Sequence, residues 1–272
     1  MPAQPDLTFN FIGVTVVDWP QAFAFFSQTL GLHAELNPQH GDWANLGGGW
    51  DGYYAGTRSA VFELFDGGRA VDKRHWGHNQ GIRPAFQVAN LTQAVTTLKS
   101  RGVAVEETVS HPWGQSAEFT TAEGIRFALA HIPGRPTSDD LARPFIGHVA
   151  LKCADLPAMK RFYGQALGFH LSAEGADYAI FSQSDDHPQI ILTTGGTPDP
   201  FEPSQSKWAN DPVRAYPVFL SMMTPDVQAV SEHLAEHNVR ILRGIVSHDD
   251  WGGTDMHITD PDGNPIQIVH YH

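Results

Sequence analysis

Polar side chains that could transfer protons or hold a metal ion stand among apolar residues in two strand-like segments of this sequence. In residues 148–153 the odd-numbered positions are Val, Leu and Cys, so His148 and Lys152 share the opposite face of a strand. Gln267 stands in the same way between two isoleucines. Imidazole exchanges protons near neutral pH and is also a frequent metal ligand. The alternation therefore predicts that His148, Lys152 and Gln267 point into a pocket.

The segments that carry these residues belong to a fourfold repeat. Each repeat has a short strand, an Asp or Asn, an amphipathic helix that ends near Gly or Asn, and then shorter alternating runs typical of strands. The Asp or Asn suits an N-cap, where its side-chain oxygen accepts a backbone N–H of the first turn. These residues are Asp18, Asn90, Asp155 and Asp226, separated by 72, 65 and 71 residues. The spacing predicts four modules of order β-α-β-β-β.

The four modules divide into two halves. A segment rich in Pro, Gly and Asp, residues 133–144, separates the second module from the third. We therefore predict one domain in residues 1–136 and another in residues 142–272, which suits a chain of 272 residues. The fold class is α+β, with two tandem domains of two modules each that form a cupped half-barrel. The sequence leaves open which modules pair around each cavity.

Composition restricts the partners. Acidic side chains outnumber basic ones by 30 to 17, for a formal net charge of −13, which disfavours nucleic acid and anionic membranes. Cys153 is the only cysteine, so no intramolecular disulfide forms, which is compatible with a reducing cytoplasm. The start of the sequence lacks a signal-peptide pattern, and no apolar run approaches the roughly 20 residues that span a bilayer. We expect a cytoplasmic monomer or homodimer that binds a small molecule.

The repeats resemble those of the vicinal oxygen chelate superfamily, which includes glyoxalase I, extradiol dioxygenases and bleomycin- or fosfomycin-resistance proteins. The resemblance covers nearly the whole chain, as a tandem two-domain member. The residues that carry it are His148–Asp155, Phe162-Tyr163, Leu167-Gly-Phe169, Trp251-Gly-Gly253 and Asp260–Ile268. It implies the glyoxalase-like fold, but it does not fix the reaction, because function depends on the site and not on the scaffold.

The resemblance also implies where metal ligands stand in metal-using members. One position is on the first strand of a module, seven residues before the capping residue, and the other is on the last strand. Here the first position holds Phe11, Arg83, His148 and Phe219, and the second holds Glu63, Ala128, Ile191 and Gln267. A usual site needs three or four nitrogen or oxygen ligands, and no pairing of the modules completes one.

A substitute site is conceivable in the second domain. The resemblance places His257 in the same pocket, so His148, His257 and Gln267 could hold zinc, nickel or iron. The alternative, which we favour, is that no metal is bound and these groups contact an organic ligand. A further pair, His75 and His78, lies in a predicted loop and suits a pocket rim better than a metal site.

The remaining candidates would bind substrate. Glu118 matches the position of His257, so Glu63, Arg83 and Glu118 could form a buried charged cluster in the first domain, either structural or acid/base. Lys152 would face the second cavity. Aromatic side chains that could line a cavity for a planar ligand are Phe11, Trp50, Tyr53, Tyr54, Phe219 and Trp251.

Two functions remain open. The first is a lyase-like or dioxygenase-like enzyme that acts on a small oxygen-rich or aromatic substrate in the second-domain cavity. His148 and His257 would act as acid/base or ligand groups, and Gln267 would orient the substrate. The second is a non-catalytic protein that binds an antibiotic or a metabolite.

Overall fold

The fold is taken from a computed structural model, which describes residues 5–36, 43–46, 61–67, 81–138, 145–184, 187–197 and 211–272. His75, His78, Trp50, Tyr53 and Tyr54 lie outside the described residues, as do residues 139–144 at the predicted boundary. The helices and strands given below are those of the described ranges.

The described residues form four β-α-β-β-β modules, as the repeat predicts. Module 1 contains β1 (Thr8–Val16), α1 (Trp19–Ala24), β2 (Ala34–Leu36), β3 (Trp43–Leu46) and β4 (Val61–Asp66). Module 2 contains β5 (Ile82–Gln87), α2 (Leu91–Ser100), β6 (Val109–His111), β7 (Gly114–Thr120) and β8 (Arg126–His131). Module 3 contains β9 (Phe145–Cys153), α3 (Leu156–Arg161), β10 (His170–Glu174), β11 (Tyr178–Ser182) and β12 (Gln189–Thr194). Module 4 contains β13 (Val218–Met223), α4 (Val227–Glu236), β14 (Ile241–His248), β15 (Gly253–Thr259) and β16 (Pro265–Tyr271).

Three shorter helical segments complete these elements. A π-helical turn continues α1 over Phe25–Thr29, and another continues α3 over Phe162–Ala166. A 3₁₀ turn, Pro212–Ala215, precedes β13. None of the helices in the described ranges is long and apolar enough to cross a membrane.

Each helix begins at the predicted capping residue. Asp18, Asn90, Asp155 and Asp226 accept a hydrogen bond from the backbone N–H three residues later, at 3.2, 3.0, 2.9 and 2.9 Å. The prediction is confirmed because an N-cap is a local feature, in which an Asp or Asn satisfies a backbone donor that has no partner inside the helix.

The strands form two eight-stranded sheets, and each sheet joins modules from both halves of the chain. Sheet A combines modules 1 and 4 in the order β14-β15-β16-β13-β1-β4-β3-β2. Sheet B combines modules 2 and 3 in the order β10-β11-β12-β9-β5-β8-β7-β6. The central contacts are antiparallel, between β1 and β13 in sheet A and between β5 and β9 in sheet B. The central strands of each sheet therefore come from both halves of the chain, whereas we expected a site cavity formed by the second domain alone.

Modules that are neighbours in sequence pack through their helical sides. Between modules 1 and 2 the ring centroids of Phe26 and Phe127 lie 5.5 Å apart, and those of Phe62 and Phe86 lie 5.2 Å apart. Among the described residues, the opposite face of each sheet carries none of α1–α4, and in sheet A the 3₁₀ turn Pro212–Ala215 packs on it. We call this face of sheet A cup A and that of sheet B cup B.

Carboxylates in matching turns tie the neighbouring modules together. Glu123 of module 2 accepts the backbone N–H groups of Val17 at 3.0 Å and Asp18 at 2.7 Å. Asp262 of module 4 accepts the N–H of Ala154 at 2.8 Å. Each carboxylate thus satisfies backbone donors at the junction between the first strand and the helix of the preceding module. The turn that holds Asp262 therefore ties module 4 to module 3.

Candidate functional site

The structure separates the three residues predicted to act together. His257 and Gln267 are cross-strand partners on β15 and β16, in sheet A. His148 lies on β9 in sheet B, opposite Ala85. The prediction that the three form one site is wrong, because it assumed that module 3 pairs with module 4. Both modules instead pair with a module from the first half of the chain.

The charged cluster predicted in the first domain is divided in the same way. Arg83 Nη1 donates to Glu118 Oε1 at 2.7 Å in sheet B, and Arg126 Nη1 lies 3.5 Å from Glu118 Oε2. Glu63 lies in sheet A, beside β1. Lys152 lies on the cup face of β9 but its side chain is exposed.

Aromatic rings fill the centre of cup A. Phe219 meets Phe11 edge-on with centroids 5.9 Å apart, and it lies 5.7 Å from Phe65. Trp43 stacks on Phe65 at 5.5 Å. The cavity that remains encloses about 30 Å³ and opens to solvent, with about 400 Å³ of empty space in all when the open part is included. Its lining includes Glu63, Asp211, Arg214, His248, Trp251, Asp255, Gln267 and Tyr271.

Glu63 is a fully buried carboxyl in this cavity. Its Oε2 accepts a hydrogen bond from Trp43 Nε1 at 3.1 Å, whereas its Oε1 has no hydrogen-bond partner among the described residues. Burial raises the pKa of Glu63 to about 8, although the positive charge of Arg214 opposes this increase. Glu63 is therefore mostly protonated at neutral pH.

Arg214 reaches cup A from the 3₁₀ turn that precedes β13. Its Nε lies 2.9 Å from Asp211 Oδ2, and its guanidinium carbon lies 4.5 Å from the ring centroid of Phe65. The ion pair and the ring position this cation beside the buried carboxyl of Glu63.

Asp255 is the centre of a polar network at the edge of cup A. It accepts hydrogen bonds from Gln267 Nε2 at 2.7 Å and His248 Nε2 at 2.9 Å, and its Oδ2 lies 3.0 Å from His257 Nε2. It also forms an ion pair with Arg243. Burial raises the pKa of Asp255, but the interactions with His257 and Arg243 more than offset this and hold its pKa well below the usual range.

His257 is buried between acidic and basic groups. Burial lowers its pKa, and the hydrogen bond to Asp255 opposes that decrease. Its Nε2 also lies 2.9 Å from Arg243 Nη2 and 3.6 Å from Asp211 Oδ1. Its Nδ1 has no hydrogen-bond partner within the described parts of the chain.

Gln267 has both ends of its amide engaged. While its Nε2 donates to Asp255, its Oε1 accepts from Ser221 Oγ at 3.1 Å. Asn10 Nδ2 in turn donates to Ser221 Oγ at 3.3 Å and to the hydroxyl of Tyr271 at 3.2 Å. Gln267 therefore acts within cup A as a fixed polar bridge.

The residues of cup A do not fit a chelated metal ion. The four positions that the resemblance assigns to ligands hold Phe11, Glu63, Phe219 and Gln267, so two of them are hydrocarbons and one is an amide with both ends occupied. In cup B the matching positions hold Arg83, Ala128, His148 and Ile191, with one imidazole among them. No group of three or more His, Cys, Asp or Glu residues in the described ranges could hold a metal ion.

Sequence reasoning missed Asp211, Arg214, Arg243 and Asp255 in cup A. Asp255 had a usable signal, because it lies two residues before His257 on the same strand and so shares its face. Asp211 and Arg214 come from a turn without periodicity, and no pattern points to them.

The fold and the cups define a class of protein. The model of the Glyoxalase/Bleomycin resistance protein/Dioxygenase superfamily matches residues 8–129 and 145–268, and the chain belongs to this superfamily. Its two matches correspond to the two halves of the chain, which makes it a tandem member. No curated protein matches the sequence.

Solved structures share the fold at low sequence identity. Glyoxalase I from Zea mays is 20% identical, with a TM-score of 0.70 over 97% of this chain and 92% of that one. A putative dioxygenase from Bacillus subtilis subsp. subtilis str. 168 is 12% identical, with a TM-score of 0.68 over 98% of this chain and 86% of that one. At these identities the similarity establishes the architecture and leaves the reaction open.

Proposed function

We propose that this chain is a metal-independent enzyme that binds a small oxygen-bearing organic molecule in cup A and transfers a proton to or from it through Glu63. The observation that carries the proposal is the state of Glu63. It is a buried carboxyl at a position where the superfamily resemblance places a functional side chain, and its Oε1 has no hydrogen-bond partner within the described residues.

The protonation of Glu63 suits acid/base work. A group whose pKa is close to the working pH can both give and take a proton, and the pKa of Glu63 is about 8. Because Oε2 accepts from Trp43, the proton resides on Oε1, from which it can be donated to a substrate oxygen. When Glu63 loses this proton, the adjacent Arg214 stabilises the carboxylate.

The Asp255 network would hold the substrate in place. Asp255 fixes the orientation of His257 and Gln267, and Gln267 is fixed again by Ser221. Groups that are ordered before the substrate arrives lose little conformational entropy when it binds. The reaction class that fits is a lyase or an isomerase that moves a proton next to a carbonyl group.

A second function is supported by the rings of cup A. Phe11, Phe65 and Phe219 form an apolar cluster that would pack against a flat molecule without any reaction. On this reading the chain is a small-molecule binding protein, and Glu63 contributes one hydrogen bond to the ligand.

Proton exchange in heavy water separates the two functions. The chain is incubated in D₂O with α-hydroxycarbonyl compounds and hemithioacetals, and proton NMR follows the loss of carbon-bound hydrogen and the formation of product. Glu63→Gln retains the shape of the neutral carboxyl but cannot release a proton. We expect it to slow exchange by about 100-fold or more, with little change in ligand affinity.

Glu236→Gln is the matched control, because Glu236 is an exposed carboxyl at the end of α4. It should exchange at the rate of the unmodified chain. If the unmodified chain binds a compound without exchange, and Glu63→Gln changes only the affinity, the binding function is correct.

A further inference from the structure

Cup B carries its own set of polar groups, which the proposed function of cup A does not use. Across adjacent strands of sheet B, Gln189 pairs with His148, and His148 pairs with Ala85. The same row continues from Ala85 to Ala128 and from Ala128 to Glu118. Two alanines thus form the floor between an imidazole at one side and a carboxylate at the other.

Three side chains at neighbouring positions of this cup carry buried polar atoms. These atoms are Arg83 Nε, His148 Nδ1 and Gln189 Oε1, and none has a hydrogen-bond partner within the described residues. His148 is only 3% exposed. Arg83 pairs with Ala150, two residues from His148 on β9, which places the two side chains diagonally at about 7–8 Å. A buried polar atom without a partner is costly, so a ligand that offers hydrogen bonds to these three atoms would be favoured.

The charges around these atoms favour an anion. Glu118 is shared by Arg83 and Arg126, which leaves one positive charge in excess. Burial is the main cause that lowers the pKa of His148, and the charges of His111 and Arg135 lower it further. The imidazole is therefore neutral, and one of its nitrogens carries a proton that it can donate to an anion.

A wall of aromatic side chains lies beside the polar atoms of Arg83, His148 and Gln189. His111 stacks on Trp113 with centroids 4.8 Å apart, and Trp113 lies 5.1 Å from Tyr178. Trp113 and Tyr178 pack against a cluster of Ile132, Ile180 and Ile191, and Ile191 is two residues from Gln189 on the same face of β12. The wall suits the flat apolar part of a ligand whose charged end lies at these polar atoms.

We propose that cup B is a second ligand site, which binds a small planar organic carboxylate between the side chains of Arg83 and His148. The carboxylate would accept from Arg83 Nε–H and from the imidazole of His148. Arg83 would keep its ion pair with Glu118 through Nη1. The two cups would then bind chemically different molecules in one chain.

Benzoate is a suitable probe for this site, and benzamide is its uncharged counterpart. Isothermal titration of the full chain should give saturable binding of one benzoate per chain and much weaker binding of benzamide. We expect His148→Gln and Arg83→Gln each to lower the benzoate affinity by about tenfold or more, because each removes a hydrogen bond to a charged group.

Arg83→Gln leaves Glu118 without its closest partner and could destabilise the fold. Arg83→Gln/Glu118→Gln removes both charges together, so it should remain folded, judged by its thermal transition, and should still lose benzoate. Arg214→Gln removes the positive charge of Arg214 from cup A and leaves cup B unaltered. This variant should bind benzoate as the unmodified chain does.

Three results would overturn the proposal: no saturable benzoate binding, equal affinity for benzamide, or binding that responds to Arg214→Gln and not to Arg83→Gln. The last result would place the anion in cup A. None of these measurements depends on proton exchange through Glu63, so the proposed function of cup A stands or fails separately.

Discussion

The ring of Phe219 lies across Gly13, its partner in the antiparallel pairing of β13 with β1. A methyl group at Gly13 would lie 2.1 Å from Cζ of that ring, far inside van der Waals contact. The absence of a side chain on β1 thus allows an aromatic ring to lie flat in the centre of cup A. This ring and Phe11 occupy two positions at which the superfamily resemblance places metal ligands.

Gly13→Ala should displace Phe219 and disturb cup A. We expect it to lower the free energy of unfolding by about 1–3 kcal/mol, as other overpacked sites do. Urea denaturation of Gly13→Ala, Phe219→Ala and the double variant would test this. The double variant should lose less stability than the sum of the single variants, because removing the ring removes the clash. Gly244→Ala is the control, since a methyl there meets no atom within 4 Å; additive losses would contradict the prediction.

Replacing the two phenylalanines at the ligand positions by histidines should allow cup A to bind a metal ion. Phe11→His/Phe219→His would add two imidazoles beside the carboxyl of Glu63, which completes a set of two histidines and one carboxylate. We expect this variant to bind about one Ni²⁺ or Zn²⁺ per chain, whereas the unmodified chain, purified without chelator or affinity-tag metal, binds none stoichiometrically. Elemental analysis by mass spectrometry measures both.

Phe65→His is the control for that experiment, because Phe65 lies in the same cup at a position to which no ligand is assigned. It should remain free of stoichiometric metal. Metal in the unmodified chain that disappears in Glu63→Gln would show that cup A chelates an ion with the residues that it has.

Local features of the fold could be predicted from the sequence, whereas the pairing of the modules could not. Asp155 caps its helix and Gln267 faces cup A as the sequence predicts, because a cap and an alternating strand depend on neighbouring residues. The contact of β1 with β13 joins residues more than two hundred positions apart. β1 pairs with β13 and β5 pairs with β9, but no local residue pattern in β1 or β5 indicates which partner each strand takes.

The same distinction applies to the candidate site. The sequence places His257 and Gln267 close together because they belong to one module, and in the structure they are partners across β15 and β16. His148 would join them only if module 3 paired with module 4, whereas it pairs with module 2. Arg214 could not be found, since its position depends on how a 3₁₀ turn packs on the ring of Phe65.

Glu63 should make stability depend on pH in the neutral range. Its pKa is about 8 in the folded chain against 4.5 for an ordinary glutamate. Between these values the folded state retains a proton that the unfolded state has released. The free energy of unfolding therefore falls as pH rises from 4.5 to 8, by at most about 1.4 kcal/mol per pH unit.

Glu63→Gln should remove this dependence. Urea denaturation at several pH values between 4.5 and 8.5 should show that the free energy of unfolding of the variant, relative to that of the unmodified chain, increases as pH rises. Glu236→Gln should follow the unmodified chain. A constant difference between Glu63→Gln and the unmodified chain would mean that the carboxyl of Glu63 is ionised in the folded state.

His148 should produce the opposite dependence on the acidic side. Burial is the main cause that lowers its pKa to about 3, and the charges of His111 and Arg135 add to it. Between pH 6.5 and pH 3, His148 binds a proton in the unfolded state but not in the folded state. The free energy of unfolding therefore falls as pH decreases from 6.5 towards 3, by at most about 1.4 kcal/mol per pH unit.

Denaturation of His148→Gln between pH 4.5 and 7 isolates this contribution, because carboxyls with low pKa values, such as Asp255, lose their stabilising charge only in more acidic solution. The variant should lose less stability than the unmodified chain as pH decreases. His170→Gln, which alters an exposed histidine at the start of β10, should leave the profile unchanged.

Saturating benzoate should flatten the profile of the unmodified chain, because an anion beside His148 favours its protonation in the folded state. Parallel profiles for His148→Gln and the unmodified chain would contradict the prediction, because they would mean that the pKa of His148 is the same in the folded and the unfolded state.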